Sequence, residues 1–161
     1  MMNVIDHSGL LAISTRLQRL ADVLRKDGLQ IYKTHGIDFE PKWFPVVYTL
    51  YHKPELGVVE LATEIGYAHP STISLLKELE KEKLIRSKKD KQDERKRLLL
   101  LTDKGKALVA RMEPVWSAMT EAISDLINTQ NNLMKAIEEA EASFKAKSFL
   151  ERAKEQLRTS K

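Results

Sequence analysis

Leu10, Ile13, Leu17, Leu20 and Leu24 recur at alternating spacings of three and four, the seam of an amphipathic or coiled-coil-like helix. Gly28 interrupts the seam, Leu29, Ile31 and Tyr32 offer a continuation, and Gly36 marks a break. Pro41 suits a helix start ahead of a dense aromatic run: Trp43, Phe44, Val46, Val47, Tyr48, Leu50 and Tyr51. Pro45 falls in the first turn, where a missing N–H is tolerated, and Pro54 and Gly57 close the element. Val59 to Ile65 predicts a short helix stopped by Gly66. His69-Pro70 opens another, with Thr72, Leu75, Leu76 and Leu79 as its buried stripe. Ser71, Ser74, Lys77, Glu78 and Lys81 then point outward, and Ile73 fits neither face cleanly.

Two strand-like runs follow, Leu84 to Ser87 and Arg97 to Leu101, around a charged, turn-prone tip. The tip carries Lys88, Lys89, Lys91, Arg95 and Lys96 with Asp90, Asp93 and Glu94. Apolar feet in a core and a cationic tip suit contact with a polyanion. Helix followed by basic hairpin is the order of a winged helix-turn-helix. Thr102 is a good N-cap for a long helix from Asp103, whose apolar face runs from Leu108 through Met112, Val115, Trp116, Met119 and Ile123 to Leu126 and Ile127. Pro114 is expected to kink it. Asn131-Asn132 reads as a junction, and Leu133, Ile137, Ala140, Phe144, Ser148, Leu150, Ala153 and Leu157 predict one or two final helices. The expected fold class is mainly α with one small β-hairpin wing.

At 161 residues the chain suits one domain with a proper core. Hydrophobic residues make up 42% and charged residues 31%, no apolar run approaches a membrane span, and the N-terminus lacks a secretory pattern. A cytoplasmic protein without a membrane partner is expected. There is no cysteine, which excludes disulfides, thiolate metal sites and thiol redox sensing. The net charge of +4 is unevenly spread: residues 69–106 hold 12 Lys/Arg against 7 Asp/Glu, or +5, and the remainder holds 15 against 16, or −1. The excess positive charge thus falls on the helix and hairpin, as nucleic-acid binding would require.

Asp93-x-Arg95 followed by Leu101-Thr102-x-x-Gly105 matches the D-x-R…L-T-x-x-G signature of the MarR family of transcriptional regulators. Glu60-Leu61-Ala62, Ile65-Gly66 and the run Leu79 to Ile85 extend the resemblance, which covers roughly residues 30 to 110. It implies a DNA-binding regulator, a homodimer with a winged helix-turn-helix in each subunit. The layout expected is a single domain over 1–161, with the winged helix-turn-helix at about 37–102 and dimerisation helices at about 8–33 and 103–158. Repression of a pseudo-palindromic operator is the family default, with release by a small-molecule effector.

Residues 59–65 would brace and residues 70–82 would read double-stranded DNA. His69, Ser71, Thr72, Ser74 and Lys77 are its expected DNA contacts there, and Ile73 either packs inward or meets a thymine methyl. Many family members carry arginine near Ser74, and its absence shifts weight to the wing. In the wing, Lys88, Lys89, Lys91 and Lys96 would meet phosphates. The resemblance implies that Arg95 enters a narrow minor groove with Asp93 holding it extended; the alternative is a surface ion pair contributing well under about 1 kcal/mol. The aromatic group Tyr32, Trp43, Phe44, Tyr48 and Tyr51, with His35 and His52, lies where family members often form an effector pocket, although an aromatic stripe on a helix is core more often than pocket.

No metal or other cofactor is expected, because His7, His35, His52 and His69 share no ligand spacing. No catalytic constellation appears. The segment Ile37 to Pro45, with His69-Pro70, resembles MarR modules that precede a GNAT-type acetyltransferase in fusion proteins, but the chain ends before such a domain. The remaining rival is a winged helix serving as a protein-interaction module.

Overall fold

The computed structural model describes residues 3–91, 93 and 96–159. Its elements are α1 (Val4–His7), α2 (Ile13–Thr34), α3 (Phe44–His52), β1 (Leu56–Gly57), α4 (Val58–Ile65), α5 (His69–Lys81), β2 (Ile85–Lys89), β3 (Arg97–Leu101), α6 (Asp103–Ile127), α7 (Leu133–Ala146) and α8 (Phe149–Thr159). The mainly helical, winged-helix architecture is the one the hydrophobic pattern predicts.

Three helix endings steer the chain into this arrangement. After α2, Gly36 adopts φ +63°, so that Ile37 N–H reaches the Tyr32 carbonyl at 2.9 Å and Gly36 N–H reaches Lys33 at 3.0 Å. This is the Schellman arrangement, which satisfies the last carbonyls and turns the buried Ile37 back onto the helix. Gly66 ends α4 in the same way. Lys83 ends α5 with the same pair of bonds at φ +59°, a conformation that costs a residue with a Cβ. Gly28, by contrast, breaks nothing: α2 runs through it, and it is buried.

The sheet has the order β1-β3-β2, all antiparallel. The hairpin is therefore backed by a third strand that the sequence pattern does not reveal, with Leu56 opposite Leu99 and Gly57 opposite Leu98. Register in the wing sets Ile85 against Leu101 and Lys89 against Arg97. Alternation sends Ile85, Leu99 and Leu101 into the core. There they join Val46, Val47 and Leu50 of α3, Leu61 of α4, Leu75, Leu76 and Leu79 of α5, and Val109 and Met112 of α6.

Chain contacts divide the protein into one unit up to Val115 and a second from Trp116 onward. The boundary falls inside α6, just after Pro114, whose missing N–H removes one helical hydrogen bond. In the second unit, Asn132 caps α7 by accepting from Lys135 N–H at 3.0 Å. Ser148 and Glu151 form a capping box at α8. Neither α7 nor α8 buries a residue. No helix among the described residues is long and apolar enough to cross a membrane.

Candidate nucleic-acid interface

α5 presents two faces. Thr72, Leu75, Leu76 and Leu79 are buried, and His69, Ser71, Ser74, Lys77 and Lys81 are exposed. The Ser71, Ser74 and Lys77 side chains make no hydrogen bond or ion pair among the described residues. Thr72 does not belong with them. It is 0% exposed and its hydroxyl donates to the Ala68 carbonyl at 3.2 Å, so its spacing to Leu75, Leu76 and Leu79 makes it a core residue. Ile73 is intermediate in exposure.

The C-terminal end of α5 is clamped by the start of α6. Thr102 N–H donates to the Leu84 carbonyl at 3.0 Å, and the Thr102 hydroxyl lies 2.7 Å from the Lys83 carbonyl and 3.2 Å from that of Leu84. That hydroxyl also accepts from Gly105 N–H at 3.0 Å, the N-cap expected of it. Lys104 Nζ donates to the Glu82 carbonyl at 2.7 Å. In the last turn of α5, Glu78 Oε2 accepts from Lys42 Nζ at 2.6 Å and from Trp43 Nε1 at 2.9 Å. Lys42 first, then Trp43, hold the Glu78 carboxyl below its ordinary range by bonding its ionised form.

In the wing, Lys89 and Arg97 face one another across β2 and β3, a like-charge pair that opposes hairpin closure. Arg97 donates weakly to the Ser87 hydroxyl at 3.4 Å, and Arg86 is exposed. Neither arginine stood out in the sequence, though the register of the strands puts both on the wing. Lys88 is less available than its neighbours because it pairs with Glu55, in the segment leading into β1. At the tip, Lys96 N–H donates to the Asp93 carbonyl at 2.9 Å and Asp90 N–H to Lys96 at 3.0 Å. Lys91 and Lys96 are exposed. Arg95 and Glu94 lie outside the described residues.

The proposed effector group divides. Tyr32, at 2% exposure, and Trp43 are core, joined by Phe39 in two edge-on contacts with centroids 5.2 and 5.7 Å apart. They fill the interior and line no open site, because Trp43 continues the buried i, i+3, i+4, i+7 stripe of Val46, Val47 and Leu50. Phe44, Tyr48, Tyr51 and His52 occupy the opposite, more exposed face of α3, with Phe44 stacked on Tyr48 at 5.0 Å and Tyr48 tilted against His52 at 4.5 Å. Tyr51 donates to Glu113 on α6 at 2.8 Å. His35 lies beyond α2, its Nδ1 2.9 Å from the Ile31 carbonyl, beside a shallow surface hollow lined by Asp27, Gln30, Ile31 and Thr34.

A braced helix with an exposed polar face, flanked by a cationic hairpin on a three-stranded sheet, defines a winged helix-turn-helix protein. Residues 40–96 match the model of the MarR family. Solved structures agree on the fold. The transcriptional repressor CouR bound to a 23-mer DNA duplex superimposes with a TM-score of 0.67 at 24% identity, over 89% of this chain and 98% of that one. The M. tuberculosis regulator MosR in complex with DNA gives 0.69 at 18%, over 83% and 96%. The PcaV regulator of Streptomyces coelicolor with its natural ligand gives 0.65 at 17%, over 91% and 100%. No curated protein sequence matches the chain.

Proposed function

We propose that the chain is a DNA-binding transcriptional regulator that acts as a homodimer on a pseudo-palindromic operator. The observation that carries this reading is the outward face of α5. Ser71, Ser74 and Lys77 stand exposed and unbonded among the described residues, beside a wing whose strands hold Lys89 against Arg97. Among the described residues no hydrogen bond or ion pair uses the Ser71, Ser74 and Lys77 side chains; groove edges and phosphates would. His69 at the positive end of α5, Lys91 and Lys96 on the wing, and Arg95 with Asp93 complete the contact set. CouR and MosR, similar in fold, are DNA-bound, and PcaV is in complex with its natural ligand.

Uncovered apolar stripes support self-association. Leu10, Ile13, Leu17, Leu20 and Leu24 are all exposed, Leu10 at 88%, and so are Phe144, Phe149, Leu150 and Leu157 of the second unit. A second copy would cover them and set two reading helices about one DNA turn apart. Such a dimer across a promoter excludes polymerase, which makes repression its default action. The open aromatic face of Phe44, Tyr48, Tyr51 and His52 supplies contacts for a small effector. The protein would work in the cytoplasm, by binding and without catalysis.

The test is enrichment of duplexes from a random library, followed by titration of the enriched duplex at several salt concentrations, with light scattering for mass. A two-fold symmetric sequence, a dimer mass, and a logarithmic affinity falling by about 0.9 per phosphate contact with log salt are expected. No enriched duplex, with salt-insensitive binding to a protein partner, would favour an interaction module.

A further inference from the structure

Glu78 lies one turn beyond Ser74 and two beyond Ser71, on the side of α5 that otherwise carries hydroxyls and lysines. A carboxylate there points the same way as groups that would meet phosphates, and DNA reading does not explain it. The structure ties it down from outside the helix. Lys42 and Trp43 both donate to the same carboxylate oxygen, and Trp43 is the last of three packed rings. Tyr32, in the last turns of α2, meets Phe39 with ring planes 76° apart, and Phe39 meets Trp43 at 83°. A continuous buried path thus runs from α2 to the reading helix and ends on one indole hydrogen bond.

We infer that Glu78 is the positioning residue of the reading helix: it fixes the rotation of α5 about its own axis against the aromatic chain rooted in α2, while Lys42 offsets its charge. The inference rests on the reading of α5 as DNA-contacting. Thr102 and Lys104 hold the C-terminal end of α5 through backbone carbonyls, and its N-terminus has no side-chain cap. Beside the buried stripe of Thr72, Leu75, Leu76 and Leu79, Glu78 adds a directed polar tie on the flank of the outward face, next to the row of Ser71 and Ser74. A tilt about this point would displace those hydroxyls across the groove edge and leave the lysines, with their long stems, in reach of phosphate.

The experiment compares affinity for the duplex enriched by the wild-type chain with affinity for a random-sequence duplex. Trp43→Phe keeps a buried ring and loses the donor. It should weaken the enriched duplex about tenfold, the size of one charge-assisted hydrogen bond, with random-duplex affinity unchanged. Glu78→Ala should lose at least as much, and Trp43→Phe with Glu78→Ala no more than Glu78→Ala alone. Glu78→Gln retains an acceptor for the indole and should stay within about threefold of wild type on the enriched duplex. That rescue covers the case in which Trp43→Phe does not fold. Parallel losses on both duplexes, additive losses, or wild-type behaviour of Glu78→Ala would overturn the inference. A wild-type chain that binds neither duplex would overturn the DNA-reading function itself, and the positioning role with it.

Discussion

Gly105 and Leu84 meet more closely than any residue with a Cβ would allow: a Cβ built on Gly105 would lie 2.2 Å from the Leu84 carbonyl oxygen. The L-T-x-x-G signature is thus a packing statement. Thr102 bonds the carbonyls that end α5, and Gly105 lets α6 lie against the same backbone. Gly105→Ala should destabilise the fold by about 1–3 kcal/mol through overpacking against backbone that cannot yield. Thr102→Ala should cost about 1–2 kcal/mol, with Thr102→Ser recovering most of it. Urea unfolding curves measure both.

Lys83 occupies the position where the two other Schellman endings carry glycine. Lys83→Gly should raise stability by up to about 1 kcal/mol, the left-handed penalty less the extra backbone entropy of glycine. A β-branched residue there should do the reverse. Thermal melts of both variants decide the sign.

Lys88 and Lys89 are adjacent in sequence and unequal in surroundings, since Glu55 already pairs with Lys88. Lys89→Ala should weaken enriched and random duplexes alike and lower the salt slope by about 1. Lys88→Ala should change the slope less. The same Lys89→Ala change should stabilise the free protein by removing a charge opposed to Arg97.

Arg95→Ala should reduce affinity for the enriched duplex by about 1–3 kcal/mol, the range for one directed contact. Arg95→Lys should recover little, because an ammonium lacks the planar fork. A double-mutant cycle with Asp93→Ala should be clearly non-additive if Asp93 orients the arginine. Additive losses would deny that role.

Glu78 gives a pH dependence of known sign. Its carboxyl sits below the ordinary range, so the stabilisation from its ionised form is present above the ordinary carboxyl value and is lost as pH falls through the lowered one. In a Trp116→Phe background, Trp43 emission should change across that acid window. Glu78→Gln should abolish the change while far-UV circular dichroism stays constant.

What the sequence shows of this fold is what repeats locally. The stripe Thr72, Leu75, Leu76 and Leu79 and the seam Leu10 to Leu24 were legible because a helix writes its buried side at three- and four-residue spacing. Placing Thr72 among the DNA contacts set its hydroxyl chemistry above that spacing, and the burial follows the spacing. β1 was not legible: two residues cannot show an alternating pattern, and Leu56–Gly57 is a strand only because β3 pairs with it. The same holds for Trp43 with Glu78 and for Lys88 with Glu55, joined across 35 and 33 residues. Gly105 was visible as a motif letter, but its reason lies in the approach of Leu84. Gly28 looked like a breaker because its propensity is poor, and tertiary burial outweighed that.

The strand order β1-β3-β2 leaves β2 at the margin of the sheet, hydrogen-bonded to β3 on one side. A margin of that kind is a template on which another chain can add a strand, and charged side chains are the usual deterrent. Arg86, Lys88 and Lys89 stand along it. Cations proposed to meet a polyanion would therefore also keep free copies from stacking edge to edge. A wing stripped of charge would gain a tendency to aggregate whenever nucleic acid is absent, so under the proposed function solubility and DNA attachment would draw on the same few side chains.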